Sequence, residues 1–93
     1  KCRCILSNPS ATYFKPRGIP LVHLEEIPLS LDELEALRLA DCEGLYHEQA
    51  AERMAVSRAT FGRILEKARH KVACALTEGK ALQIITTNKG DSQ

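Results

Sequence analysis

A chain of 93 residues, 44% hydrophobic and 27% charged with a net charge of +1, has the length and composition of one small globular domain rather than a disordered tail or a chain-wide polycation. No apolar run approaches the roughly 20 residues of a bilayer-spanning helix, and no charged-then-apolar leader with a small-residue cleavage site is visible, so a cytoplasmic location is expected. Two Phe, two Tyr and no Trp leave the core to Leu, Ile, Val and Ala, which favours helices.

The near-zero total hides a segregation of charge. Residues 1–24 carry four cations and no acid, residues 25–52 carry one arginine against nine acids, and residues 53–80 carry seven cations against two acids. A polyanion responds to the face it touches within about 10 Å, so this pattern says more about partners than the total does.

In chain order, "SNPSATYFKPRGIPL" holds Pro9, Pro16, Gly18 and Pro20 with little periodicity, which predicts an extended, turn-rich arm from Ser7 to Leu21. Ser30 followed by Glu33 forms a capping box, Leu31, Leu34 and Leu37 recur at helical spacing, and Gly44 is a stop, predicting a first helix over 31–42. A second, short helix is expected over 47–54 with Ala50, Ala51 and Met54 inward; its cap is weak, because Tyr46 offers no short acceptor. Ser57 caps a third helix from Arg58 to about Thr77, whose predicted inward face is Phe61, Ile64, Leu65, Ala68, Val72 and Leu76, and Gly79 ends it. The alternating, β-branched "ALQIITT" suits a short strand that can pair with the arm, with "EEIPLS", or with a second copy of itself. The expected organisation is an amino-terminal arm over 1–29, a helical unit over 30–80 and a carboxyl-terminal strand or tail over 81–93.

Two helices joined by a short turn, the first with small inward residues and the second capped by serine, match a helix-turn-helix whose second helix fits a major groove about 12 Å wide. With Phe61 and Ile64 inward, steps of 100° place Ala59, Arg63, Glu66, Lys67 and His70 outward, with Arg58 and Thr60 at the tip. Ser57, Arg58, Ala59, Thr60 and Arg63 are therefore the expected readers of base edges, and Arg53, Lys67, His70 and Lys71 the expected phosphate contacts. In the arm, Lys15 and Arg17 are candidates for a neighbouring groove or strand. Taken alone, Arg63 and Lys67 would only solvate a helix face; the pattern around them makes DNA the better account. The acidic first helix should face away from the duplex.

The stretches "TYFKPRGIPL", "LSLDELEALRLADCEGL" and "AAERMAVSRATFGRILEKARHKVACAL", followed by "GKAL", resemble the small prokaryotic proteins grouped as domain of unknown function one hundred and thirty-four, predicted DNA-binding proteins. More distantly, residues 31–72 resemble region four of sigma factors. The resemblance implies a mainly α fold, a sigma region-four-like helix-turn-helix with an extended amino-terminal arm and a short carboxyl-terminal strand, in a sequence-specific DNA-binding transcriptional regulator. One departure from the general helix-turn-helix pattern is Ala55, which stands where a turn glycine is usual; a left-handed conformation there costs roughly 1 kcal/mol.

A single unit of this size reads few base pairs, so a homodimer on a two-fold site is expected, joined through "ALQIITT" or the outer face of the third helix near 73–77. Two rival readings exist. Cys2 and Cys4 form a C-x-C pair that suits a metal- or redox-responsive protein, yet no second close pair completes a metal pattern, Cys42 and Cys74 lie far apart, and His23, His47 and His70 have no partners at ligand spacing. The acidic first helix, alternatively, suits a protein-interaction module, with the transcription machinery as a partner. No phosphate loop, nucleophile elbow or paired Cys and His points to an enzyme, and no cofactor is implied.

Overall fold

The computed structural model describes residues 11–86. Three strands and three helices follow one another as β1 (Tyr13–Phe14), β2 (Glu26–Ser30), α1 (Leu31–Leu37, extended by a wider π-type turn over Arg38–Cys42), α2 (His47–Met54), α3 (Arg58–Glu78) and β3 (Ala81–Ile85). None of these helices is long and apolar enough to cross a membrane.

Local chemistry sets the helix ends. Ser30 Oγ accepts from the Glu33 N–H at 3.1 Å while Glu33 Oε1 accepts from the Ser30 N–H at 3.0 Å, the reciprocal pair expected of a capping box. The helix then widens, with the Glu43 N–H reaching back to the Arg38 carbonyl at 2.8 Å, and Gly44 closes it at φ +77°. The Arg38 guanidinium spans this turn, donating to both oxygens of Glu35 at 2.8 and 2.9 Å and to Glu43. At the start of α2 the Tyr46 side chain caps nothing; the Gln49 side-chain carbonyl accepts from the Tyr46 N–H instead, at 3.3 Å. Ser57 Oγ caps α3 by accepting from the Thr60 N–H at 3.1 Å, and Gly79 ends it at φ +69°.

Most of the fold is helical, as expected, but the arm is not free. Its residues supply two strands of a three-stranded sheet in the order β1-β3-β2, so the chain is mixed α/β. β3 runs antiparallel to β1, with Phe14 opposite Leu82, and parallel to β2, with Ile27 opposite Leu82 and Leu29 opposite Ile84. Two of the pairings expected of "ALQIITT" thus occur together, and both edges of β3 are filled, which removes its backbone as a site for pairing with a second copy. The physical reason is that the scattered apolar residues of the arm gain cover only beside another strand. β2 lies at the edge and is blunted there: Pro28 has no N–H, its carbonyl accepts from Lys71 Nζ at 2.7 Å, and the Ser30 N–H is bound by Glu33.

The core has two parts. Ala36, Leu39, Ala50, Ala51, Phe61 and Leu65 bury one another among the helices, and Leu29, Ala68 and Ile84 join the sheet to α3 and α1. Ala50 and Ala51 of α2 are buried, as expected, with Met54 half-buried against them. The inward line of α3 ends differently from expectation, with Ala75 buried and Leu76 78% exposed. Seven residues turn the helix by about 700°, so Ala75 returns to within about 20° of Ala68, whereas Leu76 points about 80° away.

Candidate nucleic-acid interface

α2 and α3 meet across the turn Ala55–Ser57. Ala55 takes the left-handed conformation at φ +59° and ψ +42°, the departure that the missing glycine made visible, and the Val56 N–H closes the turn onto the Ala51 carbonyl at 3.0 Å. Phe61, fully buried, lies between the two helices with the His47 ring on it edge-to-face at 5.4 Å. His47 is thus partly buried packing rather than a plain surface histidine.

This arrangement sorts the cations of the basic segment into two groups. Arg69 forks onto Asp41 at 2.6 and 3.0 Å, Lys71 bonds Glu33 at 2.7 Å, and Lys80 lies 2.9 Å from Glu25 and 3.0 Å from Glu78. Arg53, Arg58, Arg63 and Lys67 are exposed and, among the described residues, have no carboxylate within ion-pair distance. The paired cations hold the carboxyl-terminal half of α3 to α1 and the sheet, and the free ones gather at the end of α2 and along the first half of α3.

Of the residues predicted from sequence, Ser57, Arg58, Ala59, Thr60, Arg63 and Lys67 are brought together on the outward side of α3 and its tip, with Arg53 across the turn. Ser57 and Thr60 bond through their hydroxyls at 2.9 Å, and Arg63 Nη2 donates to Thr60 Oγ1 at 3.4 Å. His70 is outward too, with Nε2 at 3.4 Å from Cys74 Sγ. Lys71 is a correction: half-buried, its ammonium is held by the Pro28 carbonyl and Glu33 instead of standing free on the outward face. Lys15 and Arg17 are exposed, on the loop between β1 and β2. Phe14 pairs with Leu82, so the loop that follows it is placed by the sheet and not by α2 or the start of α3. Lys15 also folds onto the Pro16 carbonyl at 3.0 Å.

Two residues that the sequence did not single out join the surface. Tyr46, 79% exposed, shares a shallow concavity with Arg58, and Gln49 lines another with Arg53. Neither carries a charge, and neither lies on the outward face of α3 from which the expected contacts were drawn. The acids of the first helix, by contrast, are largely neutralised from within. Glu35 and Glu43 hold Arg38, Asp41 holds Arg69 and Glu33 holds Lys71, leaving Asp32 as the one acid of α1 and its terminal turn without an ion pair among the described residues. The Arg69 fork, against a smaller effect of burial, keeps the Asp41 carboxyl below its usual range and raises Arg69 in turn.

No cluster of three or more His, Cys, Asp or Glu able to hold a metal occurs among the described residues. Cys2 and Cys4 lie outside them, while Cys42 is exposed and free.

Comparison with known proteins finds a family covering almost the whole chain. The family described as "Protein of unknown function DUF134" matches residues 1–92. Similar proteins include a "UPF0251 protein" of Desulfosudis oleivorans, 56% identical over 90% of this chain and 61% of that protein. Another, from Desulforudis audaxviator, is 57% identical over 90% and 55%. A third, from Thermoanaerobacter pseudethanolicus, is 54% identical over 90% and 71%. The chain thus spans about three fifths of the length of the first two. No solved structure matches.

Proposed function

The chain belongs to the DUF134 family of proteins of unknown function, and from that premise we propose that it is a sequence-specific DNA-binding protein, a transcriptional regulator that uses α2 and α3 as a helix-turn-helix. The observation that carries this reading is the sorting of cations. Along one helix of 21 residues, the cations of the carboxyl-terminal half, Arg69 and Lys71, are spent on Asp41 and Glu33, and Lys80 just past its end on Glu25 and Glu78, whereas Arg58, Arg63 and Lys67 stay exposed on the half that follows the tight turn. Structure alone gains little from exposed, unpaired cations, and at Arg58, the first residue of the helix, the dipole disfavours one by roughly 0.3–1 kcal/mol. A polyanion gives them a partner.

In this reading Arg58, Ala59 and Arg63 face base edges, with Ser57 and Thr60 shaping the tip, while Arg53, Lys67 and His70 approach phosphates. The internal neutralisation of the α1 acids weighs against the acidic first helix as a separate docking module. We read the chain as a binding protein rather than an enzyme, acting on cytoplasmic DNA. Its two copies would meet through the outer end of α3, where Leu76 is exposed, on half-sites about 10 base pairs apart or a multiple of that.

Selection of tight binders from a pool of random duplexes tests the reading. The expected result is a preferred site whose affinity falls steeply with salt; indifferent binding to all duplexes would remove the sequence-specific part, and no binding would remove the whole.

A further inference from the structure

Among the described residues, Arg63 is the one cation of α3 without an ion pair whose side chain has a hydrogen-bond partner. A long side chain on a helix leans toward the amino terminus, so the guanidinium of Arg63 lies back over the first turn of α3. There its Nη2–H meets Thr60 Oγ1 at 3.4 Å. Glu66, one turn away on the other side and fully able to form an ion pair at that spacing, is not bonded to it among the described residues. The Thr60 hydroxyl is itself held, accepting from Ser57 Oγ at 2.9 Å, and the Thr60 N–H donates to Ser57 Oγ at 3.1 Å. A helix cap, a threonine and an arginine are thereby joined into one chain of hydrogen bonds that ends on the guanidinium.

We propose that Thr60 is a positioning residue rather than a reader, its hydroxyl tethering the Arg63 guanidinium to the Ser57 cap so that the remaining N–H groups of the guanidinium address a single guanine. The inference rests on the DNA-binding reading above and gives it a source of specificity. An untethered arginine is spread over many rotamers and pays that freedom back on binding, equally for a phosphate or a base. A tethered one keeps the two parallel donors that match guanine O6 and N7, and it discriminates among bases instead of adding only positive charge. The tether draws on one Nη2 proton of five guanidinium protons, so a bidentate pair remains free.

The predicted signature is a loss of selectivity without a loss of general affinity. Thr60→Val removes the acceptor but keeps the branched shape and the backbone N–H that Ser57 caps, and Thr60→Ser keeps the acceptor. On the site selected by the parent protein, Thr60→Val is expected to reduce the preference for guanine over the other bases at the Arg63-dependent position about five- to tenfold. Binding to unrelated duplex, the salt slope and the thermal midpoint should all match the parent, and Thr60→Ser should restore the preference. Fluorescence titration on the selected duplex and its three single-base variants, with a thermal melt of each protein, reads all of this. An unchanged preference in Thr60→Val overturns the proposal, as does an equal loss on every duplex accompanied by a lower midpoint, which marks Thr60 as merely structural. A parent protein that shows no base preference overturns the DNA-reading premise itself, a failure distinct from the first two.

Discussion

The Lys71 ammonium lies 2.7 Å from Oε1 of Glu33, a carboxylate 38 positions earlier in the chain and only 6% exposed. The same nitrogen caps the Pro28 carbonyl, so one side chain ties α3 to α1 and closes the free edge of the sheet. Removing it leaves a buried charge without its partner. Lys71→Met is expected to destabilise the fold by about 2–4 kcal/mol in urea denaturation, while the folded variant binds DNA like the parent. Weaker DNA binding at unchanged stability would return Lys71 to the phosphate-contact group.

The same pair sets an acid limit. Burial pushes the Glu33 carboxyl up, but hydrogen bonds from Lys71 and from the Ser30 N–H, with the charges of Lys71 and Lys67, outweigh it and hold the carboxyl below its usual value. Asp41 is held down by Arg69. Carboxyls depressed in the folded state contribute stability that is fully present above their unfolded pKa of about 4 and is lost as pH falls through the lower folded values. Denaturation midpoints should therefore be level near neutrality and decline below about pH 4. In Lys71→Met, burial acts on Glu33 without that opposing bond, so its decline should be shallower than the parent's.

How much of this was legible in the sequence depends on how far each cause lies along the chain. Ser30 with Glu33, Ser57 with Thr60, and the stops at Gly44 and Gly79 act within a turn, and the helix ends they predict stand within a residue of where they occur. The left-handed turn at Ala55 was readable only from the helix-turn-helix pattern, in which a glycine is usual there. Lys71 was misread because its partners are 38 and 43 positions away, and a lysine beside Arg69 and His70 on a basic helix gives no sign of being spent. In the arm the possible pairings of "ALQIITT" were visible but their joint occurrence was not: Tyr13, Phe14 and Ile27 become strands only because β3 lies between them. The widening of α1 over Arg38–Cys42 has no periodic signal, since the expected boundaries are kept while the hydrogen bonds change.

Ala55 carries a Cβ in a conformation that glycine adopts freely. Ala55→Gly is expected to raise stability by about 1 kcal/mol, and Ala55→Val to lower it by at least as much, in urea denaturation. A destabilised glycine variant would mean that another force maintains the turn.

Leu76 presents an apolar side chain at 78% exposure on the outer end of α3, the contact proposed between two copies. Leu76→Asp should shift sedimentation equilibrium from dimer to monomer and weaken binding to a two-fold site while leaving the helical circular dichroism intact. A parent protein that sediments as a monomer, free and on DNA, would contradict the proposed assembly.

The central claim is that the free cations at the start of α3 read DNA, and Arg63 tests it most directly, with Lys67 one turn on as its control. Both are titrated on the selected duplex and on its single-base variants over a range of salt. Arg63→Ala should cost about 1–3 kcal/mol on the preferred site and relax the preference at one base, whereas Lys67→Ala should weaken every duplex alike and lower the salt slope by about one. If both variants bind every duplex as the parent does, α3 is not the reading helix and the account fails.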